Sequence, residues 1–176
     1  MISASNAVTL YTAFQNLNVA TWLDGGWGVD ALLGEQTRDH SDLDIVIQQK
    51  DVPTLRKFLE SKGFSDVQRN DTSVWNFVLG DPKGHLVDVH VIVLDKKGNG
   101  LYGAAKGGAM YPAASLTGKG LINTQLVNCI SPEYMIKFHS GYTLRESDVH
   151  DVRLLCTRFG IPLPFEYKNY LAAISS

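Results

Sequence analysis

At 176 residues, 44% of them hydrophobic, the chain is long enough to build one core, or one core with a small appendage. Sixteen basic against 18 acidic residues leave a formal net charge of −2. That balance argues against a nucleic-acid partner, because a polynucleotide needs a basic surface. Cys129 and Cys156 stand far apart and imply no disulfide framework, so a reducing cytoplasm is the expected setting. Met1 to Val8 carries no export pattern, and no apolar run reaches membrane-spanning length.

In chain order, Ala7, Leu10, Tyr11, Phe14 and Leu17 recur at helical spacing and predict a helix from about Asn6 to Leu17. Thr21 to Leu23 reads as a short strand. Gly25 and Gly26 follow, then a helical run from Val29 to Leu33 that Gly34 stops. Asp42-Leu43-Asp44 opens a second strand, Leu43 to Ile47. Asp51-Val52-Pro53 marks a helix start, and Leu55, Phe58 and Leu59 face a core until Gly63 ends it. Val74 to Leu79 and His85 to Val93 are strands joined through Asp81-Pro82-Lys83-Gly84 as an antiparallel hairpin.

From Lys96 to Leu121 the chain is rich in glycine, and no acid occurs from Lys96 through Pro132. Such a stretch is functional or mobile; a cover over bound ligand is our reading, a plain connection the alternative. One more short strand is expected within Leu121 to Ile130. Ser131-Pro132-Glu133 is a helix start, with Met135, Phe138, His139 and Tyr142 on one side. A further helix begins near Ser147, carries Val149, Val152, Leu155, Cys156 and Phe159, and stops at Gly160. Pro164 to Ile174 is the last helix. The expected fold is α+β: a small mixed sheet with flanking helices over residues 1–95, a glycine-rich cover segment over 96–130, and a helical C-terminal subdomain over 131–176.

Three acids stand out. Side chains alternate along a strand, so Asp42 and Asp44 project to one side. Two carboxylates held together repel, and a hard divalent cation such as Mg²⁺ relieves them. Just upstream, Gly25-Gly26 at a helix start lets backbone N–H groups approach an anion. Asp88 lies mid-strand among Val87, Val89, Val91 and Val93, where burying an acid is costly unless a positive group meets it. It is a third metal-facing carboxylate, or it sits on an edge strand in water.

The order strand, Gly-Gly, helix, Asp-hydrophobic-Asp resembles the DNA polymerase β-like nucleotidyltransferase superfamily. Trp22-Leu-Asp-Gly-Gly-Trp-Gly-Val-Asp30 and Phe138-His-Ser-Gly-Tyr142 are similar to the lincosamide nucleotidyltransferases, with aminoglycoside 2''-nucleotidyltransferases as more distant relatives. The likeness spans roughly Leu17 to Gly160. It departs from the superfamily at Trp27, where Gly or Ser usually contacts the triphosphate. The resemblance implies transfer of AMP from ATP to a hydroxyl of a small-molecule antibiotic, with Mg²⁺, as two ions, on Asp42, Asp44 and Asp88. It makes Asp88 the catalytic base. Gly25, Gly26 and Trp27 would cradle phosphates, with Arg38 and Lys137 as further nucleotide contacts. His90, His139 and Tyr142 would face the acceptor, and the active form would be a homodimer.

Blander roles remain open for a surface ion pair of Arg38 with Asp39 or Glu35, a solvated Lys137 and a structural His90. Cys156, within an apolar stripe, is a core thiol. Aminoglycosides carry several positive charges and need a pocket crowded with carboxylates. The lysine-bearing, acid-free stretch therefore favours lincomycin or clindamycin over kanamycin or gentamicin. Other acceptors, a protein or RNA group, stay open, as does a nucleotide-binding module without catalysis. Asp-x-Asp also marks metal-dependent glycosyltransferases, which do not need the Gly-Gly turn.

Overall fold

Helix α1 (Ala4–Asn16) begins where Ser3 caps it, its hydroxyl accepting the Asn6 N–H at 3.2 Å. Ala7, Leu10, Tyr11 and Phe14 form its buried stripe, but Leu17 falls beyond the last turn and is exposed. The computed structural model describes residues 1–103 and 110–174. After β1 (Thr21–Leu23), helix α2 (Gly25–Leu33) starts at the glycines themselves, four residues earlier than expected. Asp24 is its N-cap and Gly34, left-handed at φ 82°, closes it. Seven of its nine residues are buried, which makes it the central helix of the fold.

Strand β2 (Asp42–Gln48) leads through a 3-10 turn, Gln49–Asp51, into α3 (Val52–Ser61). Pro53 sits in the first turn of α3 as expected, although the Asp51 side chain makes no capping bond. Strands β3 (Ser65–Val67), β4 (Asn76–Gly80) and β5 (Leu86–Leu94) follow, with β4 and β5 antiparallel. The short strands β6 (Gly100–Tyr102) and β7 (Met110–Tyr111) extend this side of the sheet. In place of one strand before Ile130 there is an antiparallel hairpin, β8 (Gly118–Ile122) and β9 (Gln125–Cys129). Asn123 takes positive φ in its two-residue turn.

Among the described residues the strands form one mixed sheet, in the order β3-β4-β5-β2-β1-β9-β8, with β6 on β5 and β7 on β6. This nine-stranded sheet is larger than the small one expected. Much of the stretch read as a cover is built into it; within that stretch only residues 104–109 lie outside the described residues. Helices α4 (Pro132–Phe138), α5 (Glu146–Phe159) and α6 (Phe165–Ile174) complete the chain. Helix α4 ends before Tyr142, so that residue does not share a helical face with Met135. Packing of α2 against β2, β8, α4 and α5 joins sheet and C-terminal helices around one core.

Candidate active site

β2 and β5 run parallel with Asp44 directly opposite Asp88, so both carboxylates leave the same face, and Asp42 joins them by strand alternation. One oxygen from each of Asp42, Asp44 and Asp88 lies within 4.8 Å of the others. Because β5 is an interior strand between β4 and β2, Asp88 is not on an edge; it is 8% exposed. The positive group it requires is Arg69, whose Nη1 donates to Asp88 Oδ2 at 2.9 Å and whose Nη2 stands 3.7 Å from Asp42 Oδ2. Asp88 Oδ1 is buried without a hydrogen bond, and His90 Nε2 lies 4.0 Å from it.

The electrostatics follow from this crowding. Burial, reinforced by the charges of Asp42, Asp88 and Asp24, pushes the Asp44 carboxyl well above the usual carboxylate range, against the pull of Arg69. Burial also raises Asp88, with His90 and Arg69 pulling the other way. Three converging hard oxygen donors, one with an unsatisfied buried oxygen, fit a Mg²⁺-type cation.

The glycines earn their place through close approach. Gly25 has φ 52°, and a Cβ there would run into the Asp44 carboxylate. A Cβ on Gly26 would meet His40 Nδ1 and, at 2.6 Å, Arg38 Nη2. The first turn of α2 thus lies bare against the acids on one side and the basic pair on the other. Asp24 fixes that turn, accepting the Gly25 N–H at 2.9 Å and the Tyr111 hydroxyl at 3.2 Å.

A cleft of about 1000 Å³ is lined by all three acids, Gly25, Gly26, Arg38, His90, His139 and Tyr142. Two of the expected nucleotide contacts, Trp27 and Lys137, do not bring their side chains to this cleft. The Trp27 side chain is 1% exposed and packs on His40 inside the core, so only its backbone N–H is left for a phosphate. This follows from the early start of α2, which turns residue 27 inward. Lys137 is exposed on α4 near the Tyr134 ring and does not line the cleft.

Arg38 does line it, but its partner is neither Asp39 nor Glu35 through a carboxylate. Its Nε and Nη2 grip buried Asp151 of α5 at 2.8 and 2.7 Å, and Nη1 bonds the Asp39 carbonyl. His139 Nδ1 donates to the Met135 carbonyl at 2.8 Å, a structural bond, while its ring borders the cleft. The Tyr142 hydroxyl donates to Asp148 at 3.2 Å, and burial with that charge pushes the phenol up to about 12. Sequence reading missed Arg69, Tyr111 and the buried pair His40–Asp30, whose Nε2 and Oδ2 are 2.5 Å apart. Asp24 was missed as well, although an acid directly ahead of Gly25-Gly26 was a helix-cap signal; Arg69, a lone arginine in irregular chain, had no signal.

The chain is similar to known proteins. The family model for aminoglycoside-2''-adenylyltransferase matches residues 7–155. A lincosamide resistance protein of Staphylococcus haemolyticus is 32% identical over 142 residues, spanning 81% of this chain and 87% of that protein. The crystal structure of the lincosamide antibiotic adenylyltransferase LnuA, lincomycin-bound, superposes with a TM-score of 0.78 at 28% identity, covering 92% of this chain and 99% of the other. The crystal structure of ANT(2'')-Ia with adenylyl-2''-tobramycin has the same fold, with a TM-score of 0.71 at 22% identity over 97% and 95% of the two chains. A match running from α1 into α5, with both acid-bearing strands inside it, makes this chain a nucleotidyltransferase enzyme that belongs to the aminoglycoside-2''-adenylyltransferase family, alongside the lincosamide nucleotidyltransferases.

Proposed function

We propose that the chain moves AMP from ATP to a hydroxyl of a lincosamide antibiotic, with Mg²⁺ as cofactor. The convergence of Asp42, Asp44 and Asp88 within 4.8 Å carries this reading. These three carboxylates would hold the cation, counted here as two ions, which neutralises triphosphate charge and eases attack at the α-phosphorus. The bare first turn of α2 would cradle the β- and γ-phosphates with the Gly26 and Trp27 N–H groups, while Gly25, whose own N–H is held by Asp24, leaves room for their approach. Arg38 adds positive charge beside them. Asp88 accepts the acceptor's hydroxyl proton as that oxygen bonds to the α-phosphorus and the bond to pyrophosphate breaks. A raised carboxyl pKa brings Asp88 nearer the working pH of a general base.

The acceptor assignment draws on the lincosamide relatives and on charge. Of the seven aspartates around the cleft, three would hold the cation, Asp24 is engaged by the Gly25 N–H and the Tyr111 hydroxyl, and Asp148 is matched by Arg145 at 2.8 Å. Few remain for a polycation, whereas a lincosamide carries one amine. Asp39 and Asp71, which also border the cleft, favour the second reading, an aminoglycoside acceptor. His90, His139 and Tyr142 would form one wall for the drug. A second copy of the chain would complete the opposite wall, giving a homodimer. Residues 1–95 would form the nucleotidyltransferase core, 96–130 the glycine-rich cover segment and 131–176 the helical C-terminal subdomain. Buried, unpaired Cys129 and Cys156 suit the cytoplasm, and no described helix is long and apolar enough to cross a membrane.

The test is a competition: lincomycin and kanamycin together with ATP and Mg²⁺, products read by mass. A nucleotide-sized gain on lincomycin is expected; gain on kanamycin alone would overturn the acceptor assignment.

A further inference from the structure

Arg69 stands between two of the acids without completing their coordination. It bonds Asp88 Oδ2 well, reaches Asp42 only at 3.7 Å, and leaves buried Asp88 Oδ1 without a partner. Its side chain is 37% exposed and comes from the irregular segment between β3 and β4, where the Arg69 N–H is tied to Thr72 Oγ1 at 2.8 Å. The backbone is thus anchored while the guanidinium borders the cleft. A divalent cation needs the same carboxylate oxygens, and two positive charges cannot share them cheaply.

We propose that Arg69 is the resident counter-cation of the metal site, competing with a free divalent ion and giving way when the ion arrives with a nucleoside triphosphate. The inference rests on the metal reading of the three acids given above. The exchange has a chemical logic. A guanidinium displaced from its single bond to Asp88 finds a better planar, bidentate partner in a phosphate group. The polyphosphate therefore supplies what the free ion does not, a new anion for Arg69. Loading becomes ordered: metal and nucleotide enter together, and Asp42 and Asp88 are not left facing one another without a cation.

The experiment titrates Mn²⁺ into the full chain, followed by electron paramagnetic resonance, with and without a non-hydrolysable ATP analogue. Wild type takes up the free ion weakly and the ion with nucleotide much more tightly. Arg69→Gln binds free Mn²⁺ tighter by about tenfold or more, in the range by which neighbours of metal ligands act, while Arg69→Lys, which keeps the charge, stays close to wild type. Unchanged or weaker free-ion affinity in Arg69→Gln overturns the inference but leaves the metal site standing. Wild type that takes up no Mn²⁺ even with nucleotide removes the metal reading and the inference with it. A readout on the unaltered chain covers a variant that fails to fold. The ¹⁵N-labelled guanidinium resonance of Arg69 shifts when Mg²⁺ and the analogue are added together; a signal unmoved by loading overturns the exchange.

Discussion

Burial and three neighbouring aspartates hold the Asp44 carboxyl above its ordinary range, so the folded chain keeps a proton there at pH values where the unfolded chain has lost it. A group of this kind stabilises the fold fully below its unfolded value, 3.8, and the contribution is lost as pH rises through the folded value. Without metal, Asp44→Asn therefore raises Tm at pH 7, by roughly 2–4 °C for each kcal/mol regained. The gain fades as pH falls toward 3.8. Thermal denaturation in EDTA across that range checks it, and a lower Tm at pH 7 would contradict it. Gly25→Ala acts in the opposite direction. Its left-handed backbone costs about 1–2 kcal/mol, and the new Cβ displaces the Asp44 carboxylate, so both Tm and transfer rate fall. Asp88→Asn is expected to slow the chemical step by roughly 10²- to 10⁴-fold with nucleotide affinity nearly intact. Single-turnover kinetics beside equilibrium binding separate that from a binding role.

At the scale of elements, the Arg38–Asp151 pair ties the segment before β2 to helix α5. Asp151 is 1% exposed, so Arg38→Ala strands a buried carboxylate and is expected to cost about 3–5 kcal/mol. Chemical denaturation measures it, and replacing both residues by apolar ones should cost less than either single change. This long-range tie was out of reach of sequence reading, since its partners are 113 residues apart. What was legible had local periodicity or local chemistry: Asp42, Asp44 and Asp88 from strand alternation, α3 from Pro53, α5 from its stripe and Gly160. The Trp27 side chain is buried for a definite reason. With α2 begun at Val29, residue 27 belonged to a phosphate loop; with α2 begun at Gly25, it turns into the core. The β8–β9 hairpin carried one signal, Asn123 at a two-residue turn, but Gly118 and Gly120 weakened the strand pattern before it.

Across the whole molecule, one cleft gathers residues from β2, β5, α2 and the C-terminal helices, which explains why a match to known relatives runs through most of the chain rather than through a single motif. If a second copy finishes the acceptor wall, activity per chain should fall on dilution in step with dimer dissociation, as followed by sedimentation; a fully active monomer would rule out that arrangement. On the proposed function, the three aspartates form a cation-dependent centre for nucleotidyl transfer. The most direct measurement is ³¹P NMR of wild type, Asp42→Asn and Asp44→Asn with ATP, Mg²⁺ and lincomycin. Wild type should give pyrophosphate together with a new phosphodiester signal, and both folded variants should give neither. Undiminished transfer in either variant, or transfer by wild type that survives EDTA, would contradict it.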